Sequence, residues 1–154
     1  MPLSTWLKEA LRSGTIASLV MMPPGLAFQA VGLRVGHYGP KFAGLWVDNP
    51  TPAFLFAQHL VLGWVSALPL LAWLAWSGRA AQRPVVAGAL YGAAYYAVVN
   101  SLGLPWWFGD PTPWQLGPAT VLPSLVVHTV YGASIGFTAA HFGFAARAAR
   151  QPTA

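Results

Sequence analysis

Apolar residues dominate four long stretches, Gly14–Val35, Ala53–Trp76, Pro84–Leu104 and about Thr120–Phe144, and the charged positions collect between them. Each stretch is close to the ~20 residues that carry a helix across ~30 Å of hydrocarbon, so the pattern predicts four transmembrane helices. Residues 1–13, MPLSTWLKEALRS, place Trp6, Leu7, Ala10 and Leu11 on one helical face. That suits a short helix lying on the membrane surface, or equally a solvated cytoplasmic tail. Lys8 and Arg12 before an apolar run also fit the opening of a signal peptide. The run is too long for a typical h-region and no small-x-small site follows it, so it is read as a retained first span.

Composition strengthens this picture. Hydrophobic residues make up 56% of the 154 positions and charged residues 7%, against roughly 25% charged in soluble domains. Between Pro84 and Ala146 the only charged residue is Asp110, too little to cover a soluble surface. The length suggests one integral membrane domain. The net charge of +5 does not point to nucleic acid, because the cations sit at segment ends and form no continuous basic face. The absence of cysteine excludes disulfides, thiol nucleophiles and thiolate metal sites.

Four spans place both termini on one side. That side carries Lys8, Arg12, Arg79, Arg83, Arg147 and Arg150, and the other carries Arg34 and Lys41. The asymmetry predicts an N-in, C-in protein. Trp46, Trp106, Trp107 and Trp114 then fall at the outer interface and Trp73 and Trp76 at the inner one, where aromatic anchors concentrate.

The two halves resemble each other. AFQAVGL at 27–33 aligns with VVNSLGL at 98–104, pairing Gln29 with Asn100. LWVDNPTP at 45–52 echoes WFGDPTP at 107–113, pairing Asp48 with Asp110, and QHLVLG at 58–63 aligns with VHTVYG at 127–132, pairing His59 with His128 and Gly63 with Gly132. Each half holds two spans, so the repeat is parallel: two pseudo-symmetric hairpins related by an axis along the membrane normal. By helical rise both histidines lie roughly 9–12 Å below the outer surface. Gln29, His59, Asn100 and His128 are thus expected to form one polar layer. Polar groups in a membrane usually face the bundle interior and pair. Hydrogen bonds that fix the packing, a ligand, ion or proton site, and haem ligation by the two histidines are all compatible with that layer. His141 has no symmetry partner and reads as an interfacial residue.

Small residues recur at four-residue spacing, as Gly88 and Gly92 in the third span and Gly132 and Gly136 in the fourth. With Gly63 they predict close helix packing, either within the bundle or at a homodimer seam. Pro23 and Pro24 fall near the middle of the first span and cannot donate to the carbonyls of Leu19 and Val20, so a kink or break is expected there. Such breaks occur at transporter binding sites, though the third span has no matching one. No nucleophile–base pair, carboxylate pair, phosphate loop or metal motif is present, and no cofactor is implied. Asp48 and Asp110 read as turn organisers or helix caps.

The order of a glycine-rich span, a proline-rich outer loop, QHLVLG, GALYG followed by VVNSLGLP, and VHTVYGASIG resembles the small four-helix bacterial inner-membrane proteins of unknown function, including the YagU-like proteins. Some 60 residues of the second half carry most of the likeness. It implies a multi-pass bundle in a bacterial cytoplasmic membrane and supplies no substrate or catalytic residue. The expectation is a non-enzymatic four-helix bundle serving as an accessory subunit of a membrane complex, with lipid, other membrane subunits or a second copy as partners. A small transporter or channel and a b-haem protein are the alternatives.

Overall fold

A computed structural model describes residues 1–36 and 38–150. Among these there are helices and loops and no strand. The helices are α1 (Leu3–Val20), α2 (Met22–Ala30), α3 (Tyr38–Ala43), α4 (Pro52–Trp76), α5 (Gly78–Gln82), α6 (Pro84–Tyr95), α7 (Leu104–Phe108), α8 (Pro113–Leu116), α9 (Pro118–His141) and α10 (Phe144–Ala149). A π-helical segment, Tyr96–Gly103, joins α6 to α7 without a break.

Three of these units are long and apolar enough to cross a membrane: Pro52–Trp76, Pro84–Phe108 and Pro118–His141, with mean hydropathies of 1.7, 1.4 and 1.3. They match the second, third and fourth expected spans to within a few residues. The third runs on past Leu104. Pro105 lacks the N–H that an α-helix needs, and its ring crowds the carbonyl four residues back. The widened π turn before it lets the helix continue to Gly109, whose φ of 66° ends it. The fourth stops at His141, where Phe142 and Gly143, with φ of 73°, turn the chain into α10.

The first expected span departs most from its sequence reading. No boundary falls at Gly14: a single helix runs from Leu3 to Val20, with the charged residues Lys8, Glu9 and Arg12 inside it. It breaks at Met21, and α2 restarts with Pro23 and Pro24 in its first turn, as the double proline requires. Helix ends again at Ala30, so Val31–Val35 is not helical. The apolar set of residues 1–13 divides between the bundle and the outside. Leu7 and Leu11 are exposed, with Trp6 and Ala10 alone of that set turned inward. The buried positions of α1 are Glu9, Ala10, Ser13, Gly14, Ala17 and Ser18. Small residues face the other helices and leucines face outward, as expected where the surroundings are as apolar as the interior.

Packing follows the glycines. A Cβ built on Gly14 would lie 2.8 Å from the Gly63 carbonyl oxygen, where α1 crosses α4. Along α6 and α9, a Cβ on Gly88 would meet the Gly132 carbonyl oxygen at 2.1 Å, and one on Gly136 the Pro84 carbonyl oxygen at 2.0 Å. The predicted small-residue stripes are therefore used between helices of one chain. Helix α9 is central, touching α1, α2, α4, α6, α8 and α10. Leu70, Leu71, Leu74, Ile135 and Phe144 form the apolar core toward one end.

The loops opposite that end repeat a local device. Thr51 caps α4 through its hydroxyl, which accepts from Phe54 N–H, and Pro52 follows it. Thr112 and Gln115 cap α8 reciprocally, with Pro113 following. The threonines of the two PTP motifs therefore do the capping expected of the aspartates. Asp110 instead receives Lys41 Nζ at 2.6 Å on Oδ1, joining α3 to the loop after α7.

Candidate functional site

A chamber of about 460 Å³ lies between α1, α4, α6 with its π segment, and α9. His59, Asn100 and His128 all line it. The fourth member of the expected layer does not join them. Gln29 is exposed on the last turn of α2 and borders a separate indentation with Gly32, Leu33 and Arg34. The reason is local. Asn100 sits on the π turn, which re-aims the side chains it carries, and the first half has a proline break where the second has that turn.

Each histidine turns one ring nitrogen to a backbone carbonyl. His128 Nδ1 lies 2.6 Å from the Ser124 carbonyl oxygen. A carbonyl only accepts, so Nδ1 carries the proton and Nε2 is the acceptor. Asn100 Nδ2 donates to that Nε2 at 3.0 Å. His59 Nε2 lies 3.1 Å from the Ser18 carbonyl oxygen, so here Nε2 carries the proton and Nδ1 is left bare. The tautomers are opposite, and each is set by a backbone carbonyl. The rings of Tyr95 and Tyr96 flank His128, each with its centroid 5.9 Å away.

The remaining wall is supplied by neighbours of these residues. Tyr131, one turn after His128, donates its hydroxyl to the Gly63 carbonyl at 2.6 Å. The Ser66 and Tyr95 hydroxyls lie 3.3 Å apart. Gly36, Tyr38, Gly39, Pro40 and Phe42 close the chamber on the α3 side. Gly36 N–H donates to Ser124 Oγ at 2.8 Å, and the Tyr38 ring stacks on Phe108 at 5.9 Å. None of the described lining residues carries a formal charge. Behind this wall a second cavity of about 370 Å³ holds the charged groups Arg34, Lys41 and Asp110, and it shares Val35, Gly36, Tyr38 and Asn100 with the first. Burial, and then the Asp110 charge, push the Tyr38 phenol above its usual range.

Sequence reasoning missed Ser18, Tyr95, Tyr131 and Ser124. The signal for the last two was spacing: Ser124 is four residues before His128 and Tyr131 three after it, on one helical face. It also missed Glu9, 1% exposed near the opposite end. One Glu9 oxygen receives Arg12 Nη2 and the other is buried without a partner. The Arg12 guanidinium lies 3.7 Å over the Phe142 ring. Burial raises the Glu9 carboxyl above its usual range, opposed by Arg12 and Arg147.

His141 is exposed and lies against Phe137 and Phe142, apart from the chamber. Among the described residues no three His, Cys, Asp or Glu side chains gather to hold a metal ion. No family model, curated protein or solved structure matches the chain.

Proposed function

We propose that the chain is a non-enzymatic integral membrane protein, a four-helix bundle with both termini inside, whose inter-helix chamber binds or passes a small uncharged molecule reached from the outer side. The observation that carries this reading is the chamber of about 460 Å³ where His59, Asn100 and His128 meet, uncharged among its described lining residues. Its size lies within the range of small-molecule sites. In this reading α4, the α6–α7 unit and α9 are three spans, and α1 with α2 makes the fourth crossing, broken at Met21. The orientation draws support from the cations: Lys41 lies with Asp110 beside α3, and Arg12 and Arg147 lie about Glu9 at the other end. The likeness to small bacterial inner-membrane proteins agrees with a bacterial cytoplasmic membrane. Gly63 and Gly132, both at helix crossings, and His59 and His128, both on one chamber, support reading the two halves as pseudo-symmetric hairpins.

The other readings have less behind them. A haem needs an imidazole nitrogen with a free lone pair, and His128 has both nitrogens engaged. An accessory subunit or homodimer would seat a partner helix on small residues, and those of α6 and α9 face each other.

Single cysteines test the chamber, because the chain has none of its own. Ser66 lines the chamber, and its neighbour Val65 is 59% exposed on the outer face of α4. In native membranes a small water-soluble thiol reagent should label Ser66→Cys several-fold faster than Val65→Cys, since the reactive thiolate forms only where water reaches. Equal rates, or faster labelling at 65, would contradict a wet chamber inside a lipid-facing bundle.

A further inference from the structure

We infer that the chamber selects a ligand with an apolar body and a hydroxyl group, whose proton is received by Nδ1 of His59. The inference rests on the chamber being a binding site and adds what it binds. Hydrogen-bond accounting carries it. Four of the donors facing the chamber are already used: Tyr131 on the Gly63 carbonyl, His128 Nδ1 on the Ser124 carbonyl, Ser66 Oγ on the Leu62 carbonyl, and His59 Nε2 on the Ser18 carbonyl. The acceptors are open. His59 Nδ1 has no partner among the described residues, and neither does Asn100 Oδ1, whose amide nitrogen is engaged by His128. Ser18 Oγ, fully buried in the same wall and next to the carbonyl that holds His59, is unpartnered as well.

Open acceptors in an apolar enclosure favour a ligand that donates. A ligand with only carbonyl oxygens would leave His59 Nδ1 and Asn100 Oδ1 facing further lone pairs. A carboxylate would do so with a buried charge, and the described lining residues offer no cation to match it. An ammonium ligand would find no carboxylate among the described lining residues, with Arg34 and Lys41 in the cavity beside it. A neutral hydroxyl satisfies His59 Nδ1 by donating. Met21, Phe42, Leu62 and Leu104 supply apolar surface for the rest of the molecule.

A matched pair of probes separates these effects: 2-naphthol and its methyl ether, 2-methoxynaphthalene. Binding to the full chain in mild detergent is measured by fluorescence and corrected for partition into empty micelles. One well-placed hydrogen bond should favour the naphthol by about tenfold. His59→Phe should remove that preference, and His59→Gln, which keeps an acceptor, should restore part of it. Equal binding of the two probes to the wild-type chain overturns the hydroxyl assignment and leaves the binding chamber standing. A preference that survives in His59→Phe overturns the role of His59. Binding of neither probe, with Ser66→Cys still labelled, overturns the ligand class, whereas an unlabelled Ser66→Cys removes the chamber itself.

Discussion

Gly92 lies so close to the backbone of His128 that a Cβ built on it would stand 2.0 Å from the His128 carbonyl oxygen. The helix that presents the histidine to the chamber is therefore held in place by a missing side chain on the helix opposite. Gly132 makes the reciprocal contact, with the Gly88 carbonyl oxygen 2.0 Å from its would-be Cβ. Backbone cannot step aside as a flexible side chain can. Gly92→Ala and Gly132→Ala should each push α6 from α9 and lower stability in detergent by at least ~1–3 kcal/mol. Gly78, with nothing within 4 Å of its would-be Cβ, is the control. Thermal unfolding checks the set; a Gly92→Ala variant that melts with the wild type would contradict the crossing.

The partner of His128 is Asn100, and that of His59 is a backbone carbonyl on α1. Asn100→Leu and His128→Leu should each cost ~1–2 kcal/mol, since each leaves a buried group without its partner. The double variant should cost less than the sum of the two, by ~0.5 kcal/mol or more. His59→Leu combined with His128→Leu should be additive to within ~0.5 kcal/mol. Coupling between the two histidines, with none between His128 and Asn100, would reverse the assignment.

Glu9 sets a pH dependence of stability. Burial raises its carboxyl above the unfolded value. The folded chain thus holds this proton more tightly, and folding takes one up. The stabilisation is complete below the unfolded pKa and is lost as pH rises through the folded one. Glu9→Gln keeps a neutral side chain at every pH. Its advantage over the wild type should therefore grow as pH rises from about 4 toward neutrality. Chemical unfolding of both proteins across that range provides the measurement. A wild type that gains on Glu9→Gln as pH rises would mean that the Arg12 ion pair outweighs burial.

Span length was legible because the bilayer sets it: α4 and the α6–α7 unit start where Thr51-Pro52 and Pro84 announce them, and both are apolar throughout. The first helix was not. Its charges look like the end of a span, yet Glu9 turns inward and pairs with Arg12, so helix continues through them. In the site, His59, Asn100 and His128 stood out as polar residues in apolar surroundings. Gln29 stood out equally and lies elsewhere, because a π turn on one half and a proline break on the other spoil the alignment of the repeat. Such backbone irregularities leave little trace in a hydrophobic pattern. Ser18 and Ser124 escaped notice because helical serines are ordinary in membranes; what they do depends on which carbonyl or hydroxyl a neighbouring helix brings up.

The central claim is that one chamber holds two imidazoles in opposite tautomers, His128 engaged at both nitrogens and His59 offering Nδ1. Nitrogen NMR of the ¹⁵N-histidine-labelled protein in lipid measures this directly, with His59→Gln and His128→Gln assigning the signals. The account predicts an Nδ1–H tautomer for His128, with Nε2 shifted by its hydrogen bond from Asn100, and an Nε2–H tautomer for His59, whose bare Nδ1 signal responds to 2-naphthol and not to its methyl ether. Two histidines in the same tautomer, or a His59 signal indifferent to both probes, would contradict it.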